Sequence, residues 1–217
     1  MEDTATALSQ LPLRELTTRL SSRAPVPGGG SAAAIAGALG AGLVSMVVEL
    51  TAGRPEAADT TPELLEIGEA ARRRRDDLLD LAEEDAAAYD AVVRARRLPR
   101  ETDTEREARE QAVAAAMGQA ADAPLRACRA AYEVLELAAR VAPIGNPNAA
   151  SDAGVAAQLA SAGVRGAALN VRINLPYLAA DDPLRSDGLA ELERLERDAA
   201  RLEAEVVDVV IGRIGPS

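Results

Sequence analysis

Residues 24–52 read Ala-Pro-Val-Pro-Gly-Gly-Gly-Ser-Ala-Ala-Ala-Ile-Ala-Gly-Ala-Leu-Gly-Ala-Gly-Leu-Val-Ser-Met-Val-Val-Glu-Leu-Thr-Ala. Three glycines make a turn with free choice of φ and no side chains in the way. Ser31 then stands where it would cap a helix, whose free N–H groups point back at the loop and form a corner for an anionic or carbonyl group. The helix itself is Ala, Gly and aliphatic residues, so other backbones approach it from almost any direction. The stretch predicts a buried central helix over residues 31–52. Its glycine entrance also has a reading without a ligand, because any chain entering a crowded helical interface needs such a turn.

Other uses of a glycine loop fit poorly. A Walker A loop needs Gly-x4-Gly-Lys-Ser/Thr, and the chain contains no lysine. A dinucleotide fingerprint needs spaced glycines after a strand, and Gly28-Gly29-Gly30 offers neither. The uncharged run from Ser31 to Val48 is near the lower limit for a membrane span but is diluted by alanine and glycine, and nothing else resembles a second span. No membrane is expected as a partner.

At 217 residues the chain suits a single domain over 1–217 with a core of its own. It has three tyrosines and no Phe or Trp, so Ala, Leu, Val and Ile in close-packed helices must build that core. All 24 basic residues are arginine, and 35 acids leave a net charge of −11. Such a surface repels a polyanion and offers little for base stacking, which argues against nucleic acid. The single Cys128 excludes an internal disulfide, and the absence of histidine argues against a metal site. The start Met1-Glu2-Asp3-Thr4 lacks the basic and apolar run of a signal peptide, so a cytoplasmic location is expected.

The predicted elements are all α. A short amphipathic helix covers Leu11–Ser22, and a long helix opens at Thr61-Pro62-Glu63 and runs to about Arg97. A charged segment from Arg100 to Glu110 leads into an alanine-rich helix that Pro124 is expected to kink before its end near Val141. Helices over about 149–178 and 188–211 follow, the last with Glu and Arg paired at helical spacings. This is a bundle of about five or six helices. The Ala and Gly faces of its central helix leave too little bulk to be covered within one chain, which predicts a dimer.

Three segments carry polar groups that packing does not need: Gly28–Ser31, the run 83–90, and Asn146-Pro147-Asn148-Ala149-Ala150-Ser151-Asp152. Asp85 and Tyr89 are i and i+4, so they share one helix face, where a carboxylate beside an aromatic has its pKa moved toward acid–base use. A solvated helix acid is the plainer reading of Asp85. Asn148, Ser151 and Asp152 sit at a helix entrance, where capping explains at least one of them. Asn170 and Asn174 are again i and i+4, a spacing that suggests specific hydrogen bonding to a ligand or a neighbouring helix.

Taken together, Pro-Val-Pro-Gly-Gly-Gly-Ser-Ala-Ala-Ala (25–34), Glu-Asp-Ala-Ala-Ala-Tyr-Asp-Ala-Val (84–92) with Arg-Leu-Pro-Arg (97–100), Gly-Asn-Pro-Asn-Ala-Ala-Ser-Asp-Ala-Gly-Val-Ala-Ala-Gln-Leu (145–159) and Asn-Val-Arg-Ile-Asn-Leu (170–175) resemble the cyclodeaminase/cyclohydrolase domain of the formiminotransferase-cyclodeaminase family. The resemblance runs from about Leu11 to Ile211, without a transferase half. It implies an all-helical homodimer acting on one-carbon tetrahydrofolates, polyglutamylated or not, with no cofactor beyond that substrate. The activity implied first is closure of 5-formimidoyltetrahydrofolate to 5,10-methenyltetrahydrofolate with loss of ammonia. Hydrolysis of the methenyl ring is the alternative, and a catalytically silent folate- or partner-binding dimer is the rival from another class.

Against that chemistry Asp85 is the first choice for the proton-transferring carboxyl group and Asp152 the second. Backbone N–H groups around Gly28, Gly29, Gly30 and Ser31, with Asn146, Asn148, Ser151, Asn170 and Asn174, would hold the pterin or the one-carbon centre. Arg97 or Arg100 would meet the glutamate tail, where family members often carry Lys at the place of Arg100. Tyr89 is the aromatic for ring contact.

Overall fold

Gly29, two residues ahead of the expected start, is the first residue of the small-residue helix. In the computed structural model, which describes residues 6–214, α2 spans Gly29–Glu49 and is flanked by α1 (Leu13–Leu20), α3 (Thr61–Arg96), α4 (Asp103–Ile144), α5 (Ala150–Asn174) and α6 (Pro183–Ile214). No strand occurs among the described residues. The Met1–Thr4 start lies outside them.

The small residues of α2 do what their size allows. A β-carbon on Gly40 would lie 2.9 Å from the Ala156 carbonyl oxygen, and one on Gly163 would lie 3.0 Å from that of Ala33. The backbones of α2 and α5 therefore touch, with glycine at the contact on each side. Their order is antiparallel: Gly29 faces Asn170, Gly40 faces Ala156, and Thr51 meets Asn146. α3 and α4 also pack on it, yet the helix that meets all of α2, α3, α5 and α6 is α4, so the expected central place of α2 is corrected: its small residues bury three sides and leave a fourth at the surface. α2 is also the one helix among the described residues long and apolar enough to cross a membrane, with a mean hydropathy of 1.9 and more than half of that window buried.

One expectation for α4 is corrected. The charged lead is no separate segment, because Thr102 and Glu105 form a reciprocal capping box and the helix starts at Asp103. Pro124 lies inside the helix, as expected. A proline has no N–H to give the carbonyl four residues back, and the Asn174 side-chain Nδ2 donates to that orphaned Ala120 oxygen at 2.6 Å. The helix runs on past Pro143, and the Arg213 guanidinium of α6 donates to the Pro143 and Gly145 carbonyls at its end.

Arginines 72–75 each meet an acid on the outer surface, namely Glu49, Glu69, Asp77 with Glu133, and Asp76. One face of α2 stays uncovered. Leu39, Met46 and Leu50 are exposed along it, and Ile35 and Leu43 join Leu79 and Leu159 in an apolar groove beside them.

Candidate functional site

The first turn of α2 is capped from another helix. Gly28 holds the N-cap position and has no side chain to offer, so the first amides of the helix lack an internal cap. Ser31, expected to be the cap, is the third residue of the helix. Its hydroxyl faces the Ala82 carbonyl at 2.9 Å and Asp85 Oδ2 at 3.1 Å, linking α2 to the middle of α3. The carboxyl group of Asp85 sits in the space a side chain on Gly30 would need, since a β-carbon there would be 2.2 Å from Oδ1. None of Gly28, Gly29 and Gly30 has a positive φ. Lack of a side chain, rather than an unusual backbone angle, is what Gly30 supplies.

Asp85 is half-buried, and burial pushes its pKa above the ordinary value of 3.8, while the hydrogen bonds from Ser31 pull the other way. Desolvation disfavours the charged form, and donors at a helix N-terminus favour it. The net rise leaves a carboxyl group able to both take and give a proton, unlike an ordinary surface acid.

A pocket of about 320 Å³ opens over this group. Gly28–Gly30 form one wall, Asp85, Tyr89, Val92 and Arg96 of α3 a second, and Asn170, Ile173, Asn174 and Tyr177 a third. Larger surface clefts of about 520 and 720 Å³ lie along α3 and α4, where arginines and acids pair with one another. Among the described residues, only the smaller of these three joins helix-terminal amides to a half-buried carboxyl group. Asn170 Nδ2 donates to the Gly166 carbonyl at 2.9 Å and lies 3.5 Å from where a Gly29 β-carbon would be. Among the described residues no cluster of His, Cys, Asp and Glu has metal-binding proximity.

The structure thus brings Gly28, Gly29, Gly30, Ser31, Asp85, Tyr89, Asn170 and Asn174 to one place. It leaves Asn146, Asn148, Ser151 and Asp152 at the other end of α2, about 30 Å away by the rise of 21 helical residues. There Asn146 is a fold device: its N–H donates to Thr51 Oγ1 at 2.8 Å, its Nδ2 to the Leu50 carbonyl, and its Oδ1 accepts the Asn148 N–H. Asn148 and Ser151 are exposed, and Asp152 is half-exposed in the first turn of α5. Arg97 and Arg100 stand at and beyond the end of α3 without lining the pocket. Arg96 lines it instead, its guanidinium 5.7 Å from the centre of the Tyr177 ring. Arg96 was legible, being eleven residues from Asp85 on the same helix face. Tyr177 carried no signal beyond being one of three tyrosines.

Comparisons with known proteins agree on one family and carry two activity names. Residues 12–194 match the family described as Formiminotransferase-cyclodeaminase. The chain is 43% identical to the methenyltetrahydrofolate cyclohydrolase of Methylorubrum extorquens, over 90% of this chain and 93% of that protein. It is 31% identical to the formimidoyltransferase-cyclodeaminase of Sus scrofa over 93% of this chain, spanning 37% of that longer protein. In structure it resembles the formiminotetrahydrofolate cyclodeaminase of Thermotoga maritima, with a TM-score of 0.83 and 30% identity over 94% of this chain and 98% of that one.

Proposed function

The chain belongs to the formiminotransferase-cyclodeaminase family, and from that membership and the Asp85 pocket we propose that it hydrolyses the methenyl bridge of a tetrahydrofolate. That it is a folate one-carbon enzyme follows from the family. Hydrolysis is put first because the relative of that name is 43% identical and nearly coextensive with this chain. The observation that carries the mechanism is the half-buried Asp85 at the N-terminus of α2.

In this reading Asp85 takes a proton from water as its oxygen adds to the bridging carbon. It then gives that proton to one ring nitrogen as the carbon–nitrogen bond breaks. The remaining hydroxyl proton leaves as the formyl carbonyl forms on the other nitrogen, so water supplies both the oxygen and the balance of protons. The amides of Gly29–Ser31 face the developing oxygen.

Ring closure with loss of ammonia is the second reading, favoured by the likeness to the Thermotoga maritima cyclodeaminase. N10 attacks the carbon of the formimidoyl group in its protonated amidinium form, Asp85 removes the N10 proton and returns it to the departing amine, and ammonia leaves with the positive charge kept on the methenyl bridge. Both reactions share one tetrahedral carbon between two nitrogens. Incubating the protein separately with 5-formimidoyltetrahydrofolate and with methenyltetrahydrofolate, following methenyl absorbance and ammonia, tests both. Loss of absorbance without ammonia supports hydrolysis, ammonia-coupled gain supports closure, and neither change overturns the enzyme reading.

The proposal includes a homodimer paired through the uncovered face of α2, in the cytoplasm, with the folate alone as co-reactant. The apolar stripe from Ile35 to Leu50 supports it, continued on α5 by exposed Val155 and Leu169. A second copy running antiparallel covers the whole stripe, whereas a steep crossing covers only its middle. Antiparallel pairing also carries each copy's 148–152 turn to the Asp85 end of the other. Solution scattering decides the state: a monodisperse species of 22.5 kDa overturns the dimer.

A further inference from the structure

Two of the chain's three tyrosines line the same pocket, and the one arginine that lines it sits over one of them. Tyr89 and Tyr177 are 47% and 60% exposed, with Ile173 beside them at 68%. Large rings and an aliphatic side chain left in water around a cavity are surfaces that await an apolar or aromatic ligand. Arg96 has no carboxylate oxygen within 4.0 Å among the described residues, and its contact is the Tyr177 ring. In a chain whose arginines mostly meet acids, this guanidinium is free to receive an anion brought by the ligand.

The helix sets the spacing. Asp85, Tyr89, Val92 and Arg96 recur at intervals of four, three and four residues and form one stripe on α3. Eleven residues span about 16 Å along the axis. Side chains in a helix lean toward its N-terminus, and the long Arg96 side chain reaches further back than the short Asp85 one, so the gap between the two groups is shorter than that rise. An extended aminobenzoyl-glutamate, from the nitrogen of the one-carbon bridge to its α-carboxylate, spans about 10 Å by standard bond lengths and fits within that gap.

We propose that Arg96, held over Tyr177, binds the glutamate carboxylate of the folate and so selects substrates that carry it, while Tyr89 and Tyr177 flank the aminobenzoyl ring. The inference rests on the folate reading above and moves the tail contact from Arg97 and Arg100 to Arg96. An arginine suits this task because its planar fork pairs with a carboxylate through two parallel hydrogen bonds.

The test compares two substrates of the same reduced one-carbon pterin, one with its glutamate and one ending at the aminobenzoate. For Arg96→Gln the KM of the glutamate form rises about tenfold or more, kcat stays within twofold, and the KM of the truncated form is unchanged. Arg96→Lys recovers part of the loss. Equal effects on both substrates, or on neither, overturn the assignment of Arg96. Turnover of neither substrate by the parent protein overturns the folate reading itself, and with it this inference.

Discussion

The Asp85 carboxyl group occupies the volume of the side chain that Gly30 lacks, 2.2 Å from where a β-carbon would stand. Two helices thereby share one group: α3 owns the acid and α2 supplies the space and the donors around it. A small residue in a glycine loop and a carboxylate fifty-five positions later form a single device.

Gly30→Ala is expected to displace Asp85 and remove turnover by two orders of magnitude or more, with a stability loss of about 1–3 kcal/mol for overpacking. Gly29→Ala is expected to be mild in folding, because its β-carbon would meet only the Asn170 amide at 3.5 Å, an ordinary contact. Thermal unfolding and single-turnover rates of the two variants check the contrast. Equal losses in both would show that the loop needs glycine for its backbone alone.

Asp85→Asn is expected to abolish turnover and keep folate binding within about tenfold, or roughly 1.4 kcal/mol. Its stability relative to the parent should depend on pH with a definite sign. Asp85 has a folded pKa above 3.8, so the native state holds this proton more tightly than the unfolded chain does. The stability it confers is complete below pH 3.8 and is lost as pH rises through the folded value. The amide escapes that loss, and the difference in Tm should move toward the variant between pH 3.8 and neutrality. A difference that stays constant across that window would count against a perturbed carboxyl group.

Subunit mixing tests whether the 148–152 turn serves the other copy's pocket. Asp85→Asn and Asp152→Asn homodimers should each be weak, and mixing them under exchange should restore activity toward a quarter of the parent level. That recovery requires the two acids of one site to come from different chains. A mixture no more active than its components, with exchange verified by mass, rejects the shared site.

The Cys128 thiol is buried and its pKa is pushed up to about 12 by desolvation, with Glu196 and Glu191 adding to the rise. The thiolate is the reactive form. A thiol reagent at neutral pH should therefore label the native protein only at the rate of its opening and label it stoichiometrically in denaturant. Rapid native labelling would place the thiol at a surface.

Much of the architecture was legible because its causes are local. Thr61-Pro62-Glu63 marks the start of α3 and the structure agrees on residue 61, with Thr60 at the N-cap in place of the expected Thr61 and Pro62 one position later than N1. What sequence did not show at Pro124 is its remedy, which is distant: the partner for the Ala120 carbonyl comes from Asn174, fifty-four residues away. Ser31 misled, having been assigned to its own helix end when its hydroxyl faces α3. Of the site, the glycine corner, Asp85, Tyr89 and Asn170 stood out as polar or permissive residues where packing needed neither. What sequence could not supply was the antiparallel order of α2 and α5, and that order sends Asn146–Asp152 to the far end of the same chain.

The contact of α2 with α5 is made of alanine methyls and bare backbone, and alanine is the commonest residue throughout the core. An alanine side chain has no rotamers to lose on folding. It also uncovers little apolar area when the chain opens, and the heat capacity of unfolding scales with that area. A bundle closed in this way has a shallow stability curve: its free energy of unfolding changes slowly between cold and warm, and the alignment of Asp85 with the first turn of α2 persists across that range.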